Sequence, residues 1–185
     1  MARLPLANRE SVPEKQRQAF DEIVKAAGSV PRFGPGSVAL HLPHAHQRLM
    51  GFNRYLRSES SLAKKLQELA MLVTARELDC QYIWNAHAAS ARAAGVSDAL
   101  VDALREGKQL PKLPDEETAV VRFGQEFFRA HRVSRGTFQL AVETLGQRGA
   151  IELALFLGNY ASLALLVNSF DSDLPPDRKE PLLPV

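Results

Sequence analysis

The sequence predicts an all-α fold in which helices pack on helices, and three observations predict it. Apolar residues recur at helical spacing; one set is Leu62, Leu66, Leu69 and Val73, with spacings of four and three. Helix-capping residues and Gly or Pro breakers divide the chain along its whole length. No run of alternating β-branched residues indicates a sheet. We therefore expect a helical bundle.

The first expected helix opens with a capping box. Ser11 stands at the N-cap, Pro13 lies in the first turn, and Glu14 follows Ser11 by three residues. The helix then runs to Ala27 and ends at Gly28. The next stretch, residues 29–37, holds several Gly and Pro breakers and is expected to be a loop.

The remaining helices follow from the same signals. Their expected bounds are 44–57 after Pro43, 62–78, 80–94, 97–107, 115–131, 134–147 and 150–168. Their expected capping residues are Ser60 or Ser61, then Asp79, Ser97, Asp115 and Ser134. The proline-rich tail from Asp171 onward is expected to be extended or loose.

The chain is expected to form a single domain, residues 1–185. Whether this domain consists of two halves, 1–107 and 115–170, is left open. Residues 108–114 contain two prolines and form the best internal linker. Residues 67–73 and 151–157 share three identities in seven positions, and they lie on either side of this linker. A duplicated helical hairpin would produce that pattern, and chance would as well.

Composition excludes several classes of protein. The 185 residues are 45% apolar and 24% charged, which are values of an ordinary folded domain. The net charge of +2 is too small to indicate nucleic acid as a partner. A single cysteine excludes an intramolecular disulfide and a Cys-x-x-Cys pair. Residues 1–9 hold no apolar run of signal-peptide length, so we expect a reduced, cytoplasmic protein.

Residues 150–170 form the one segment apolar enough to suggest a membrane span. Glu152, Asn159 and Ser162 interrupt it, and Glu152 and Asn159 are seven residues apart, on nearly one helical face. A lipid-facing helix should not carry such a stripe. We expect a central helix, buried in the protein or between subunits, and no membrane contact.

Candidate chemistry concentrates between residues 68 and 95. On a helix that starts at Cys80, the side chains of Cys80, Ile83, Trp84 and His87 share one face. An imidazole titrates nearest neutral pH, so His87 is the natural general acid or base. Glu68 on the preceding helix would orient it. The alternative is structural: His87, Cys80 and Trp84 are core residues, and Glu68 only pairs with Lys64.

The spacing of Glu68, Cys80, Tyr82, Trp84 and His87 resembles the carboxymuconolactone decarboxylase family and its alkylhydroperoxidase branch. The likeness extends outward to residues 40–43, which read Leu-His-Leu-Pro, to Ala-Ala-Gly at 93–95, and to residues 145–160. The resemblance implies a helical bundle of the alkylhydroperoxidase-like type.

The resemblance also implies a site and an assembly. Glu68, Cys80 and His87 would be catalytic, and Trp84, Tyr82, Ile83 and His41 would bind the substrate. That substrate would be a small molecule. The assembly would be a homo-oligomer, most simply a trimer or hexamer, with a dimer as the alternative. We expect no cofactor.

Position 83 departs from both well-known branches of the family. Alkylhydroperoxidases have a second cysteine there, and decarboxylase-like members commonly have glutamate, whereas this chain has Ile83. A dithiol cycle is therefore impossible within one chain. The isoleucine makes the pocket more apolar, which strengthens the effect of a single proton donor.

A metal reading of His41, His44 and His46 is disfavoured. Three imidazoles suit zinc, but Pro43 breaks the helix that would align them, and no carboxylate lies close in sequence. We expect no metal, with His44 and His46 either solvated or at an interface.

Three functions remain open. The first is a lyase-like enzyme that acts on a small organic acid or lactone, by decarboxylation or related proton transfer at His87. The second is a thiol peroxidase that uses Cys80 alone, with an external or neighbouring-subunit thiol as the resolving partner. The third is a non-catalytic helical oligomer that binds a small apolar ligand. Ile83 favours the first, because a sulfenic acid at Cys80 would have no partner on its own helix.

Overall fold

The computed structural model describes residues 2–184, and within them the fold is all-helical, as predicted. A 3₁₀ turn, Glu14–Gln16, precedes eight α-helices. These are α1 (Arg17–Ala27), α2 (Gly34–Ala39), α3 (Pro43–Glu59), α4 (Lys64–Glu77), α5 (Gln81–Ala93), α6 (Asp98–Glu106), α7 (Asp115–Ala130) and α8 (Arg135–Ser169). No strand occurs among the described residues.

Helix α4 is the centre of the bundle. Its residues 66–75 are all buried, on every side of the helix, and α5, α7 and α8 pack around it. A helix that is buried all round is stable only inside the protein, so its neighbours are fixed by the need to cover it. The polar Gln67 and Thr74 donate locally to the carbonyls of Leu62 and Ala70 at 2.9 Å, while the Gln67 Oε1 is buried with no partner among the described residues.

Helix α2 corrects the loop predicted for residues 29–37. Pro35 lies in its first turn, where a proline fits a helix. Gly34 has φ +73°, and a Cβ there would come within 2.3 Å of the Tyr82 ring. The glycine therefore serves a close approach between α2 and α5, which local composition does not reveal.

The predicted capping box at Ser11 is wrong. The Ser11 hydroxyl donates to the Asn8 carbonyl at 2.9 Å, so it closes a turn before the helix. Pro13 is the residue that precedes the 3₁₀ turn, and α1 begins only at Arg17. The predicted end of this helix is right, since Gly28 caps α1 with φ 77°.

Ser60 and Ser61 do not cap α4, because both bind Glu152 on α8. Its Oε2 accepts from the two hydroxyls at 2.9 and 2.6 Å and from the Ser61 amide at 2.8 Å, while Arg148 pairs with Oε1 at 2.8 Å. Burial would raise the pKa of Glu152, but these donors hold it at about 2. The carboxylate therefore ties the α3–α4 connection to α8.

The two predicted helices, 134–147 and 150–168, are both present as the two arms of α8, which meet at a kink. The backbone leaves helical geometry at Gly146, with φ 71° and ψ 168°, and the helix continues beyond it. Ser134 caps its start as predicted, accepting from the Thr137 amide at 3.3 Å. By length and composition α8 is sufficient to span a membrane, and 56% of its most apolar window is buried inside the chain.

The C-terminal tail, which was predicted to be extended or loose, is docked at its end. The Gln81 side chain donates to the Leu183 carbonyl at 2.8 Å and accepts from the Leu183 amide at 2.9 Å. The Leu183 side chain is 3% exposed and joins the main core. Asn85 on α5 also donates to the Glu180 carbonyl at 3.1 Å. Gln81 and Asn85, both on α5, thus bind backbone groups of the tail.

We predict that Leu183→Ala lowers the free energy of unfolding by about 2–5 kcal/mol, the usual cost of removing a buried leucine. The neighbouring Leu182 is 40% exposed, so Leu182→Ala is the matched control and should be nearly neutral. Chemical denaturation of the three proteins measures the difference. Equal stability of both variants would contradict the docked tail.

Candidate active site

Glu68 and His87 form the centre of the candidate site. Glu68 lies on α4 and is fully buried, and His87 lies on α5, which packs directly on α4. The His87 Nδ1 is 2.8 Å from the Glu68 Oε2. The His87 side chain is 12% exposed, so it faces inward with a small open edge. The structure therefore brings together the two groups that the sequence paired as base and orienting carboxylate.

Two bonds keep the Glu68 carboxyl ionised in spite of its burial. Burial would raise the pKa of Glu68, but the hydrogen bond from His87 and the ion pair with Lys64 together lower it. The Lys64 Nζ lies 2.6 Å from Oε1, and His87 occupies Oε2. The Lys64 pair expected as the structural alternative is thus present, but it does not make Glu68 a surface residue.

The ionised carboxylate fixes the tautomer of His87. A carboxylate only accepts hydrogen bonds, so the proton of a neutral His87 must sit on Nδ1. Nε2 is then the ring atom with the free lone pair, and its protonated form is the acid. An imidazole held in this way by a carboxylate can take and return a proton at one defined atom.

Tyr160 completes the surroundings of His87, and the sequence analysis missed it. Its ring meets the imidazole edge to face, with centroids 5.3 Å apart and planes at 80°. Tyr160 is 2% exposed on α8. The only local signal was its place in the run 145–160, beside Asn159; the contact itself depends on how α8 packs.

Cys80 shares the helix face of His87 but makes no side-chain bond with it. The cysteine precedes α5 as its N-cap and is fully buried. Seven residues separate the two positions, which is roughly 10 Å along a helix. Burial raises the pKa of the Cys80 thiol, with backbone bonds from Ile83 and Tyr82 acting in the opposite direction. Among residues 2–184, no hydrogen bond or ion pair joins Cys80 to Glu68 or His87.

The aromatic and apolar residues predicted to bind substrate lie on two sides of α5. Ile83 and Trp84 are buried in the main core. The Trp84 Nε1 is buried, and no described residue accepts its hydrogen. Tyr82 instead packs over Gly34 and lines a cavity of about 230 Å³ between α5 and the tail. Tyr82 is therefore turned toward the tail and away from the Glu68–His87 pair.

His41 lies apart from the pair as well. Its Nε2 is 3.1 Å from the Pro5 carbonyl, and it lines a separate cavity of about 160 Å³ with Phe33, Ser37 and Phe170. His44 is exposed, and burial lowers the pKa of His46. Among residues 2–184, no three His, Cys, Asp or Glu side chains are grouped closely enough to hold a metal ion.

Comparisons with known proteins agree with this fold. Residues 43–126, which include Glu68, Cys80 and His87, match the carboxymuconolactone decarboxylase family. No curated protein matched the sequence.

Several solved structures also match this chain over most of its length. One is an alkylhydroperoxidase AhpD core protein, an uncharacterized peroxidase-related protein of Ralstonia eutropha JMP134, with 19% identity, TM-score 0.73 and coverage of 95% of this chain and 93% of that one. A peroxidase-related protein of Silicibacter sp. TM1040 has 16% identity, TM-score 0.72 and coverage of 96% and 93%.

The debrominase Bmp8 has 15% identity, TM-score 0.67 and coverage of 92% and 91%. A cysteine-to-alanine variant of Bmp8, solved in complex with 2,3,4-tribromopyrrole, also matches, with 14% identity, TM-score 0.68 and coverage of 95% of each chain. At these identities the likeness establishes the alkylhydroperoxidase-like fold and leaves the reaction to the site's own geometry.

Proposed function

We propose that this protein is an enzyme that moves a proton with His87 on a small organic acid or lactone. Its residues 43–126 match the carboxymuconolactone decarboxylase family. The 2.8 Å bond between Glu68 and His87 is the observation that carries this proposal. It places a carboxylate behind the imidazole, fixes the proton on Nδ1 and leaves Nε2 as the reactive atom.

In a decarboxylation the residues would act as follows. The bond between the substrate's carboxylate carbon and its neighbour breaks, carbon dioxide leaves, and the electron pair moves into a conjugated carbonyl. The imidazolium of His87 then delivers its Nε2 proton to carbon. Glu68 stabilises the imidazolium before the transfer, and solvent restores the proton afterwards. Isomerisation would use the same atoms, with His87 first as base and then as acid.

The surroundings of His87 support this chemistry. Tyr160 is buried and contacts the imidazole, and Ile83 and Trp84, on the same side of α5 as His87, are buried in the main core. Charges interact more strongly where water is excluded, so one oriented imidazole has a larger effect there than in solvent.

A single-cysteine thiol peroxidase is the second candidate. Cys80 precedes α5, where the Tyr82 and Ile83 amides hydrogen-bond to its sulfur and favour a thiolate. A peroxide would oxidise that thiolate to a sulfenic acid and leave as an alcohol. An external thiol would then reduce the sulfenic acid by way of a mixed disulfide. Burial opposes this route, because it raises the pKa of Cys80 above that of an ordinary thiol.

Paired variants separate the two chemistries. We predict that His87→Ala lowers turnover of small lactone acids, followed by absorbance, by about 10²–10⁴-fold, while Cys80→Ser changes it little. His44→Ala is the matched control, because His44 is exposed and makes no side-chain bond among the described residues.

Peroxide consumption with a thiol reductant is measured on the same proteins. Robust consumption that is lost in Cys80→Ser would favour the peroxidase and contradict His87-dependent chemistry. Absence of both activities in the wild-type protein, with a small apolar ligand still bound, would favour the non-catalytic binding protein.

We also propose that the protein is a homo-oligomer. On α8, the exposed leucine and isoleucine side chains 151, 155 and 165 are 55%, 41% and 67% exposed, and they lie beside the small residues Ala154, Gly158 and Ser162. Glu152, the single charged residue of this part of α8, turns inward. An uncharged apolar helix face of this kind suits burial against another copy of the chain.

Light scattering at micromolar concentration tests the assembly. We predict a mass that is a multiple of 20.4 kDa, with a trimer or hexamer ahead of a dimer. Leu155→Glu should shift the protein toward the monomer. Phe138→Glu changes an exposed apolar residue on the other arm of α8 and should not. A stable wild-type monomer would contradict the proposal.

A further inference from the structure

The geometry points to Tyr160, anchored by Asn53 and Asn159, as the positioning residue that sets the plane of the His87 imidazole. The effect of Tyr160 on catalysis rests on the proposed function. Its effect on the orientation of the His87 ring does not. Glu68 determines where Nδ1 lies, and Tyr160 determines which way the rest of the ring points.

One hydrogen bond at Nδ1 does not hold an imidazole in a single orientation. The ring can still turn about the side chain's second torsion, for which the preferences are broad. Moving Nε2 by about 1 Å can cost on the order of 10²-fold in rate, so an acid–base histidine needs a second constraint. The Tyr160 ring supplies it, with its plane at 80° to the imidazole and its centroid 5.3 Å away.

Tyr160 is itself immobilised from two sides. Phe156, one helical turn earlier on α8, stacks on it with centroids 6.4 Å apart and planes at 13°. At the other end of the ring, the side chain of Asn53 on α3 lies beside the Tyr160 hydroxyl and acts to lower its pKa. The ring is therefore fixed along its face by packing and bordered at its tip by a polar side chain.

Asn53 is in turn held by the residue that precedes Tyr160. The Asn159 Nδ2 donates to the Asn53 Oδ1 at 2.9 Å. Asn159 is 5% exposed and Tyr160 is 2% exposed. The Asn159 Oδ1 is buried with no partner among the described residues, so the bond from Nδ2 is the one that links this amide on α8 to α3, next to Tyr160.

Burial keeps the phenol neutral. It raises the pKa of Tyr160, Arg57 opposes the rise, and the Glu68 carboxylate adds to it. A neutral phenol does not compete with the Glu68–His87 pair for a proton. Tyr160 thus acts on His87 through packing and geometry.

The imidazole nitrogen resonances of His87 report on this role without any substrate. In ¹⁵N-labelled wild type at neutral pH, we expect His87 to show the Nδ1–H tautomer, because Glu68 accepts from Nδ1. Tyr160→Leu removes the ring and should give averaged nitrogen shifts, typical of mixed tautomers and a mobile ring. Tyr160→Phe keeps the ring but loses the hydroxyl beside Asn53, so Tyr160→Phe and Asn53→Ala should both fall between wild type and Tyr160→Leu.

Tyr55→Leu is the control, since Tyr55 is an exposed tyrosine on α3, and it should leave the His87 shifts unchanged. Circular dichroism confirms that each variant is folded; should Tyr160→Leu not fold, Asn53→Ala carries the test. The inference would be overturned if folded Tyr160→Leu showed the wild-type His87 tautomer and line width. If Tyr160→Leu does not fold, the same result in folded Asn53→Ala would overturn it.

Kinetics separate this inference from the proposed function. If His87 is the acid–base group, Tyr160→Leu should lower kcat by about 10- to 100-fold with little change in KM. If His87→Ala leaves turnover intact, the proposed function fails, yet the nitrogen shifts still decide whether Tyr160 positions the ring.

Discussion

The structure depends on how a carboxylate is accommodated inside the central helix. Glu68 is fully buried in the middle of α4, where an unpaired charge would be strongly unfavourable. Lys64 reaches it from one turn earlier on the same helix, and His87 reaches it from α5. The second bond requires α5 to lie against α4 in one register, so the pair that carries the proposed chemistry also fixes the packing of the two helices.

A second buried carboxylate stabilises the same core from the other side. Glu152 on α8 pairs with Arg148, four residues earlier, as Glu68 pairs with Lys64. Its remaining bonds go to Ser60 and Ser61, whereas Glu68 bonds to an imidazole. The serines do not titrate near neutral pH, so Glu152 serves structure alone. The two carboxylates are alike, so it is the partner, an imidazole for Glu68 and serines for Glu152, that makes only Glu68 part of the candidate active site.

The fold class and the Glu68–His87 pair could be predicted from the sequence because both depend on local spacing. Helical periodicity indicates the helices. The family-like spacing of Cys80 and His87, twelve and nineteen residues after Glu68, indicates the pair. Tyr160 and Asn53 could not be predicted, since their contacts with the site arise only when α3 and α8 pack. Ser60 was misread for a related reason: a serine beside a helix usually caps it, but here the buried Glu152 is the stronger acceptor.

The pKa of the Glu68 carboxyl is the most direct measure of the central interaction. Burial alone would raise it, and the bonds from His87 and Lys64 would lower it; we predict that the bonds prevail. The pair then adds stability above the ordinary glutamate pKa, and that stability is lost as the pH falls through the lower, folded value. Carboxyl ¹³C titration of labelled protein should place Glu68 below an ordinary glutamate. A value above it would show a carboxyl that is protonated by burial, and would contradict the account of His87 held by a charged partner.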